Sequence, residues 1–222
     1  MCNPNNPTGE LLNHSDIKNV LDAVRASDAF VVVDEALIED EKTSVIPMLI
    51  ANSRLIVCRT FSKTHGLAGA RIGYIVATKQ IIDKLRTVGS PFLVNGAAQE
   101  FALRALDDRA HVFQTQKYLE TQRQTLRCAF YSLGIKFTQT QAINMILDLS
   151  NLGFTTSAQI VGALGKLGVA VTAADAFGYD ATCALIRISI ATKKENSHFL
   201  RVLRKFVGKR KIGLQNSSRR EV

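Results

Sequence analysis

Two short, uninterrupted runs of apolar, mostly β-branched residues each break off at polar and charged side chains. Phe30-Val31-Val32-Val33 runs into Asp34-Glu35, and Leu55-Ile56-Val57-Cys58 runs into Arg59-Thr60-Phe61-Ser62-Lys63. Runs of this kind without polar alternation read as strands covered on both faces in a parallel sheet. A third run, Tyr74-Ile75-Val76-Ala77, follows the glycine-rich stretch Gly66-Leu67-Ala68-Gly69-Ala70-Arg71-Ile72-Gly73. Ahead of the first run, Ile17, Val20, Leu21 and Val24 recur at helical spacing behind Ser15, which reads as the N-cap. Strands alternating with helical segments predict an α/β sheet. In open sheets of that class ligands bind beyond the carboxyl ends of the strands, where Asp34 and Lys63 both fall.

Beyond Pro91 the pattern changes. From about Ala97 to Leu133 the sequence is helix-compatible, weakly interrupted at Asp107-Asp108, and predicts a long connecting helix. An apolar stretch at 143–149, a helix at 156–167, a strand at 184–190 and a final helix at 194–207 follow. The last carries Phe199, Leu200, Leu203 and Phe206 on one face. The expected organisation is a large domain over 1–107, a connecting helix with a smaller α+β domain over 108–208, and a basic tail over 209–222.

The net charge of +9 invites a nucleic-acid reading until it is located. Residues 201–222 hold eight Lys/Arg against Glu221 alone, so seven of the nine charges sit there. The basicity is a property of the tail, read as a solvated terminus, and a nucleic-acid partner is disfavoured. No apolar run approaches the roughly 18 residues a membrane helix needs, and the amino terminus has no basic region followed by an apolar one. Cys2, Cys58, Cys128 and Cys183 form no C-x-x-C pair and have no metal-type spacing to histidine, so no metal site is expected. They read as reduced thiols of a cytoplasmic protein.

Three groups carry chemistry. Lys63 stands at the end of a buried strand and ahead of a glycine-rich loop; it is either a surface lysine or, partly desolvated, an amine nucleophile. Arg71 with the hydroxyls of Thr60 and Ser62 supplies the guanidinium and neutral donors that hold a phosphate dianion. Asp34, a carboxylate at the end of an apolar strand, needs either a structural salt bridge or a ligand cation. An amine for an aldehyde, a phosphate site and a carboxylate for a protonated ring nitrogen together describe pyridoxal 5'-phosphate.

The segments Asn3-Pro4-Asn5-Asn6-Pro7-Thr8-Gly9, Val33-Asp34-Glu35-Ala36, Thr60 to Arg71 and Leu185-Ile186-Arg187-Ile188-Ser189 resemble, in order and spacing, those of the fold-type-I pyridoxal-phosphate aminotransferases of classes I and II. The subgroup most resembled is histidinol-phosphate aminotransferase, and the resemblance spans about residues 1–207. It implies a pyridoxal-phosphate-dependent transferase fold: a partial large α/β domain with a mostly parallel sheet, plus a smaller C-terminal α+β domain. Residue by residue, it implies that Lys63 forms a Schiff base with the cofactor and then acts as general acid and base. Asp34 would hold the ring nitrogen, Asn6 the phenolic oxygen, and Thr60, Ser62 and Arg71 the phosphate. Arg187 would clamp the substrate carboxylate, with a strand-edge salt bridge as its structural alternative. The implied reaction is transamination between histidinol phosphate and 2-oxoglutarate in a homodimer.

Three departures from the family pattern stand out. Three residues after the aspartate, where the family usually has an aromatic hydroxyl, stands Leu37; related phosphothreonine decarboxylases also depart there, which keeps a lyase reading open. His65 stands where close relatives have an aromatic or small residue and reads as a loop residue. Members also carry a segment before the Asn-Pro motif, with a glycine/serine loop that cradles the phosphate and an aromatic that stacks on the ring. The expectation is therefore a fragment of a longer enzyme, or a truncated product inactive alone.

Overall fold

The computed structural model describes residues 1–90 and 92–217, with only the backbone of 209–217. Two compact units divide the chain, Met1–Tyr118 and Leu119–Val222.

The first unit is built on a three-stranded sheet in the order β1 (Val31–Asp34), β2 (Leu55–Thr60), β3 (Gly73–Val76). β1 and β2 are parallel, in register from Val31↔Leu55 to Asp34↔Cys58. On the other side of β1 the first residues of the chain pair in parallel with it. The Asn3 N–H donates to the Asp34 carbonyl at 2.8 Å and the Asp34 N–H to the Met1 carbonyl at 2.9 Å. The turn cluster at 3–9 thus follows an extended segment.

β3 is the strand of this sheet that is not parallel, running antiparallel to β2 with Thr60↔Gly73 and Val57↔Val76 opposed. The link at 61–72 holds a 3₁₀ turn, Ala68–Ala70, and no crossover helix, and a return without such a crossover brings the next strand back antiparallel. Gly73 is required at the start of β3, because a Cβ there would lie 2.5 Å from the Arg59 carbonyl oxygen.

Helix α1 (His14–Ala23) packs Ile17 and Leu21 against Val31, Val33, Leu55 and Val57. Its cap is Asn13 rather than Ser15. The Asn13 side chain accepts the Asp16 N–H at 3.0 Å while the Asp16 carboxylate accepts the Asn13 N–H at 3.2 Å, a reciprocal pair that Ser15 cannot offer. The expectation of strands covered on both faces is also corrected. Val31 and Val33 are buried, whereas Val32 is 44% and Ile75 45% exposed, so the unit's core covers one face of the sheet.

Two further helices, α2 (Lys79–Val88) and α3 (Gly96–Asp107), lead to α4 (Arg109–Leu133). The predicted weak point separates α3 from α4: Asp108 leaves the helical region with ψ 65°, and its carboxylate accepts the His111 N–H at 2.9 Å to cap α4. The division between the two units, after Tyr118, falls within the residue range of α4.

The second unit holds an antiparallel sheet of β4 (Lys136–Phe137), β5 (Asn144–Asp148), β6 (Thr172–Ala173) and β7 (Leu185–Ser189) in the order β4-β5-β7-β6. It is packed by α4, by α5 (Ser157–Gly165) and by α6 (Lys193–Ser217). The core gathers Leu126 and Phe130 of α4, Met145 and Leu147 of β5, Ile186 of β7 and Leu203 of α6, all fully buried. The final helix does not stop at 207: the Lys/Arg-rich stretch contains good helix formers and no proline, so its backbone continues α6 to Ser217. Residues 218–222 of the expected basic tail lie outside the described residues.

Phe130 is wholly buried, with its ring centroid 5.6 Å from that of Phe137 and 6.3 Å from that of Phe199. Phe130→Ala is expected to cost about 3–5 kcal/mol, read as a lower urea midpoint with an unchanged denaturant slope.

Candidate active site

Alternation along β1 and β2 sorts the functional side chains. Val31, Val33, Leu55, Val57 and Arg59 point into the core, so Asp34, Cys58 and Thr60 share the opposite face. Asp34 and Cys58 are register partners, and Thr60 lies two residues further along the same strand. The segment 1–3 delivers the Asn-Pro turn to the same edge. That turn is closed by the Asn5 N–H donating to the Glu10 carbonyl at 2.8 Å and the Gly9 N–H to the Asn5 carbonyl at 2.7 Å. Asn3 is consumed structurally, its side chain accepting the Leu12 N–H at 2.7 Å, whereas Asn6 is exposed on the turn. Asn6, Asp34 and the Thr60 to Lys63 segment therefore leave three adjacent strand ends.

Each group is placed differently. Asp34 is half-buried; its Oδ1 accepts the Ala36 N–H at 2.8 Å, and among the described residues Oδ2 meets no donor. Thr60 Oγ1 lies 2.9 Å from Ser62 Oγ and accepts the Ser62 N–H at 3.1 Å, which fixes both hydroxyls in one small turn. Lys63 is exposed and its amine forms no hydrogen bond or ion pair with the described residues. Arg71, also exposed, is the only non-glycine residue at positive φ among them (φ 53°), a conformation that costs an L-residue of order 1 kcal/mol. Its Nη1 donates to the Ala68 carbonyl at 3.0 Å.

Charge is sorted in the same way. The Arg59 guanidinium, on the core face, is engaged by the buried Glu35 and the exposed Glu41, while Lys63 and Arg71 have no carboxylate partner among the described residues. Glu35 is likewise ion-paired, while Asp34 has no cationic partner among the described residues. The open set is one carboxylate, an amine, a guanidinium and two hydroxyls, the donor chemistry that pyridoxal phosphate requires. Burial and the Asp34 charge push the Cys58 thiol above its ordinary range. Burial pulls His65 below the ordinary imidazole value; its ring meets Phe61 edge-on at 5.0 Å and its Nδ1 is buried. Leu37, at the position of the expected aromatic hydroxyl, is buried and can donate no hydrogen bond.

In the second unit Arg187 stands on β7 between the buried Ile186 and Ile188 and faces the other way. Its guanidinium lies 4.5 Å from the centroid of the Phe177 ring, and Nη2 is 3.4 Å from Thr172 Oγ1. It lines a cleft of about 800 Å³ together with Thr172, Ser189 and Lys194.

Residues 1–203 match the family described as aminotransferase class I and II. The chain belongs to this family. It is 37% identical over 212 residues to histidinol-phosphate aminotransferase of Moorella thermoacetica, covering 93% of this chain and 53% of that relative. Against the enzyme of the same name from Symbiobacterium thermophilum the identity is 32% over 210 residues, 94% of this chain and 56% of the relative. The crystal structure of histidinol-phosphate aminotransferase from Clostridium acetobutylicum superposes with a TM-score of 0.86 at 25% identity, over 94% of this chain and 63% of that one. L-threonine-O-3-phosphate decarboxylase from Porphyromonas gingivalis shares the fold at TM-score 0.77 and 23% identity. The chain spans about half the length of the curated relatives it matches. The family depends on pyridoxal phosphate, the group that the open donor set fits.

Sequence reasoning missed Glu35, Arg59, Glu41 and Cys58. A signal for Arg59 was present: strict alternation from Leu55 and Val57 puts this charge on the apolar face, where it must find a partner.

Replacing Asp34 by Asn removes a charge that raises the Cys58 pKa. At pH 8 the thiolate fraction should grow, and Cys58 alkylation by iodoacetamide should quicken several-fold while that of the exposed Cys128 stays unchanged. Peptide mass mapping of a time course reads both.

Proposed function

We propose that this protein works as a pyridoxal-phosphate-dependent aminotransferase that moves an amino group between histidinol phosphate and 2-oxoglutarate. The reading is carried by one observation: three adjacent strand ends bring a carboxylate without an ion-pair partner among the described residues, an unbonded amine and a pair of hydroxyls to a single edge of the sheet. The 37% identity to a histidinol-phosphate aminotransferase supports the substrate.

Bound there, the cofactor supplies an electron sink that lets the substrate α-carbon give up a proton. The chain's own residues do the rest. Lys63 would hold the cofactor through its Nζ and, with that amine free, would act as general base and acid, taking the proton from the substrate α-carbon and returning it to the cofactor's aldehyde carbon. The Asp34 carboxylate keeps the ring nitrogen protonated, and Asn6 donates to the phenolic oxygen. Thr60, Ser62 and Arg71 hold the phosphate, while Arg187 holds the substrate carboxylate. In this reading residues 1–107 belong to the cofactor-binding domain and 108–208 to the connecting helix and smaller domain. The enzyme acts in the cytoplasm as a homodimer, and the basic tail takes no part in the chemistry. Leu37 favours one second reading, a decarboxylase on the same scaffold, since it removes a hydrogen bond to the phenolic oxygen.

Borohydride reduction of the protein with pyridoxal phosphate is expected to leave a covalent adduct on Lys63, identified by peptide mass, and Lys63→Ala should abolish that adduct. Turnover of histidinol phosphate with 2-oxoglutarate should yield glutamate and fall about 10²- to 10⁴-fold in Lys63→Ala. An unmodified Lys63 would remove the cofactor assignment. Carbon dioxide release without glutamate would replace transamination by the lyase.

A further inference from the structure

Directly beneath the open edge, on the core face, lies a second set of charges that the proposed chemistry does not use. The Glu35 and Arg59 side chains are 0% and 5% exposed, and Arg59 Nε donates to Glu35 Oε2 at 2.6 Å. The two remaining guanidinium nitrogens grip Glu41 in a fork, Nη1 to Oε1 at 2.7 Å and Nη2 to Oε2 at 3.0 Å. Glu35 is completed by the Ser44 hydroxyl, 2.8 Å from Oε2, and by the Val45 N–H, 2.7 Å from Oε1. Burial alone would lower the Arg59 pKa, but the hydrogen bonds and charges of Glu41 and Glu35 outweigh it and raise it.

A fully bonded buried ion network is seldom needed for stability, because apolar residues of equal volume often serve as well. Its position in the chain gives it another use. Glu35 is the residue after Asp34, and Arg59 is the residue before Thr60. The backbone repeats the tie, the Glu35 N–H donating to the Cys58 carbonyl at 2.9 Å. Fixing Glu35 to Arg59 on one face therefore fixes the spacing of Asp34 and Thr60 on the other.

We infer that Glu35, acting through Arg59, is a positioning residue that sets the separation between the ring-nitrogen carboxylate and the phosphate-binding hydroxyls. The inference rests on the proposed cofactor reading and adds the residue that holds its two ends in register. A ligand that spans both ends feels the separation; a ligand held at one end does not.

Calorimetric titration of the protein with pyridoxal phosphate and, separately, with inorganic phosphate tests this. Glu35→Gln keeps the shape and removes the charge. It should weaken pyridoxal phosphate about tenfold or more, the loss typical of groups that orient ligating residues, and leave phosphate binding within about twofold. Equal affinities for both ligands in variant and wild type would overturn the inference, as would parallel losses accompanied by a non-cooperative melt, which mark a merely structural role. Should Glu35→Gln fail to fold, Glu41→Gln decides. It loosens the network from its solvent side, where Glu41 is 72% exposed, and an unchanged affinity for pyridoxal phosphate there would also count against the inference. A wild-type protein that binds phosphate but no pyridoxal phosphate would defeat the cofactor reading itself.

Discussion

The parallel register of β1 and β2 is the constraint from which the rest of the first unit follows. Because Asp34 is opposed to Cys58, each strand end arrives at the same edge, and because side chains alternate, that edge has two faces with different duties. One face closes over Ile17, Leu21 and Val45 to form a core. The other presents a carboxylate, a thiol and a hydroxyl within two residues of one another. A shift of one residue in this pairing would exchange the faces and bury the wrong charges.

Consecutive acidic residues at 34 and 35, and consecutive polar residues at 59 and 60, divide between the two faces in the same way. Each pair contributes one member to the buried ion network and one to the open edge. Where charge is satisfied within the chain it is buried and immobile, as in Glu35 and Arg59. Where it is unsatisfied it lies at the strand ends and on the loop that follows. The glycine-bearing loop after β2 extends this arrangement: Lys63 and Arg71 are exposed there without acidic neighbours among the described residues, and Arg71 accepts a left-handed backbone conformation.

Much of this was legible in the sequence. The runs at 30–33, 55–58 and 184–190 became strands, the apolar periodicities at 17–24 and 199–206 became buried helix faces, and the dipeptide at 107–108 separated two helices. These features are local, and local pattern decides them. What escaped depended on specific hydrogen bonds and on coverage that a hydrophobic pattern does not encode. The antiparallel return of β3 follows from what the 61–72 loop lacks, and the cap at Asn13 from reciprocal bonding with Asp16. The open face of Val32 depends on what covers the sheet, which a run of valines does not encode. The candidate site was legible as a list of residues because its members sit in short motifs. The network beneath it was not, since Glu41 and Ser44 come from a segment with no pattern of its own.

Gly73 carries a consequence for how surfaces of such proteins are read. It lies on an exposed strand opposite Thr60 and has no side chain with which to do chemistry, yet no other residue fits, because the Arg59 carbonyl occupies the space a β-carbon would fill. A position can thus be as restricted as a catalytic one through volume alone. Intolerance to substitution at the surface of this sheet measures how closely two backbones approach, and only a chemical readout separates that cause from participation in the reaction.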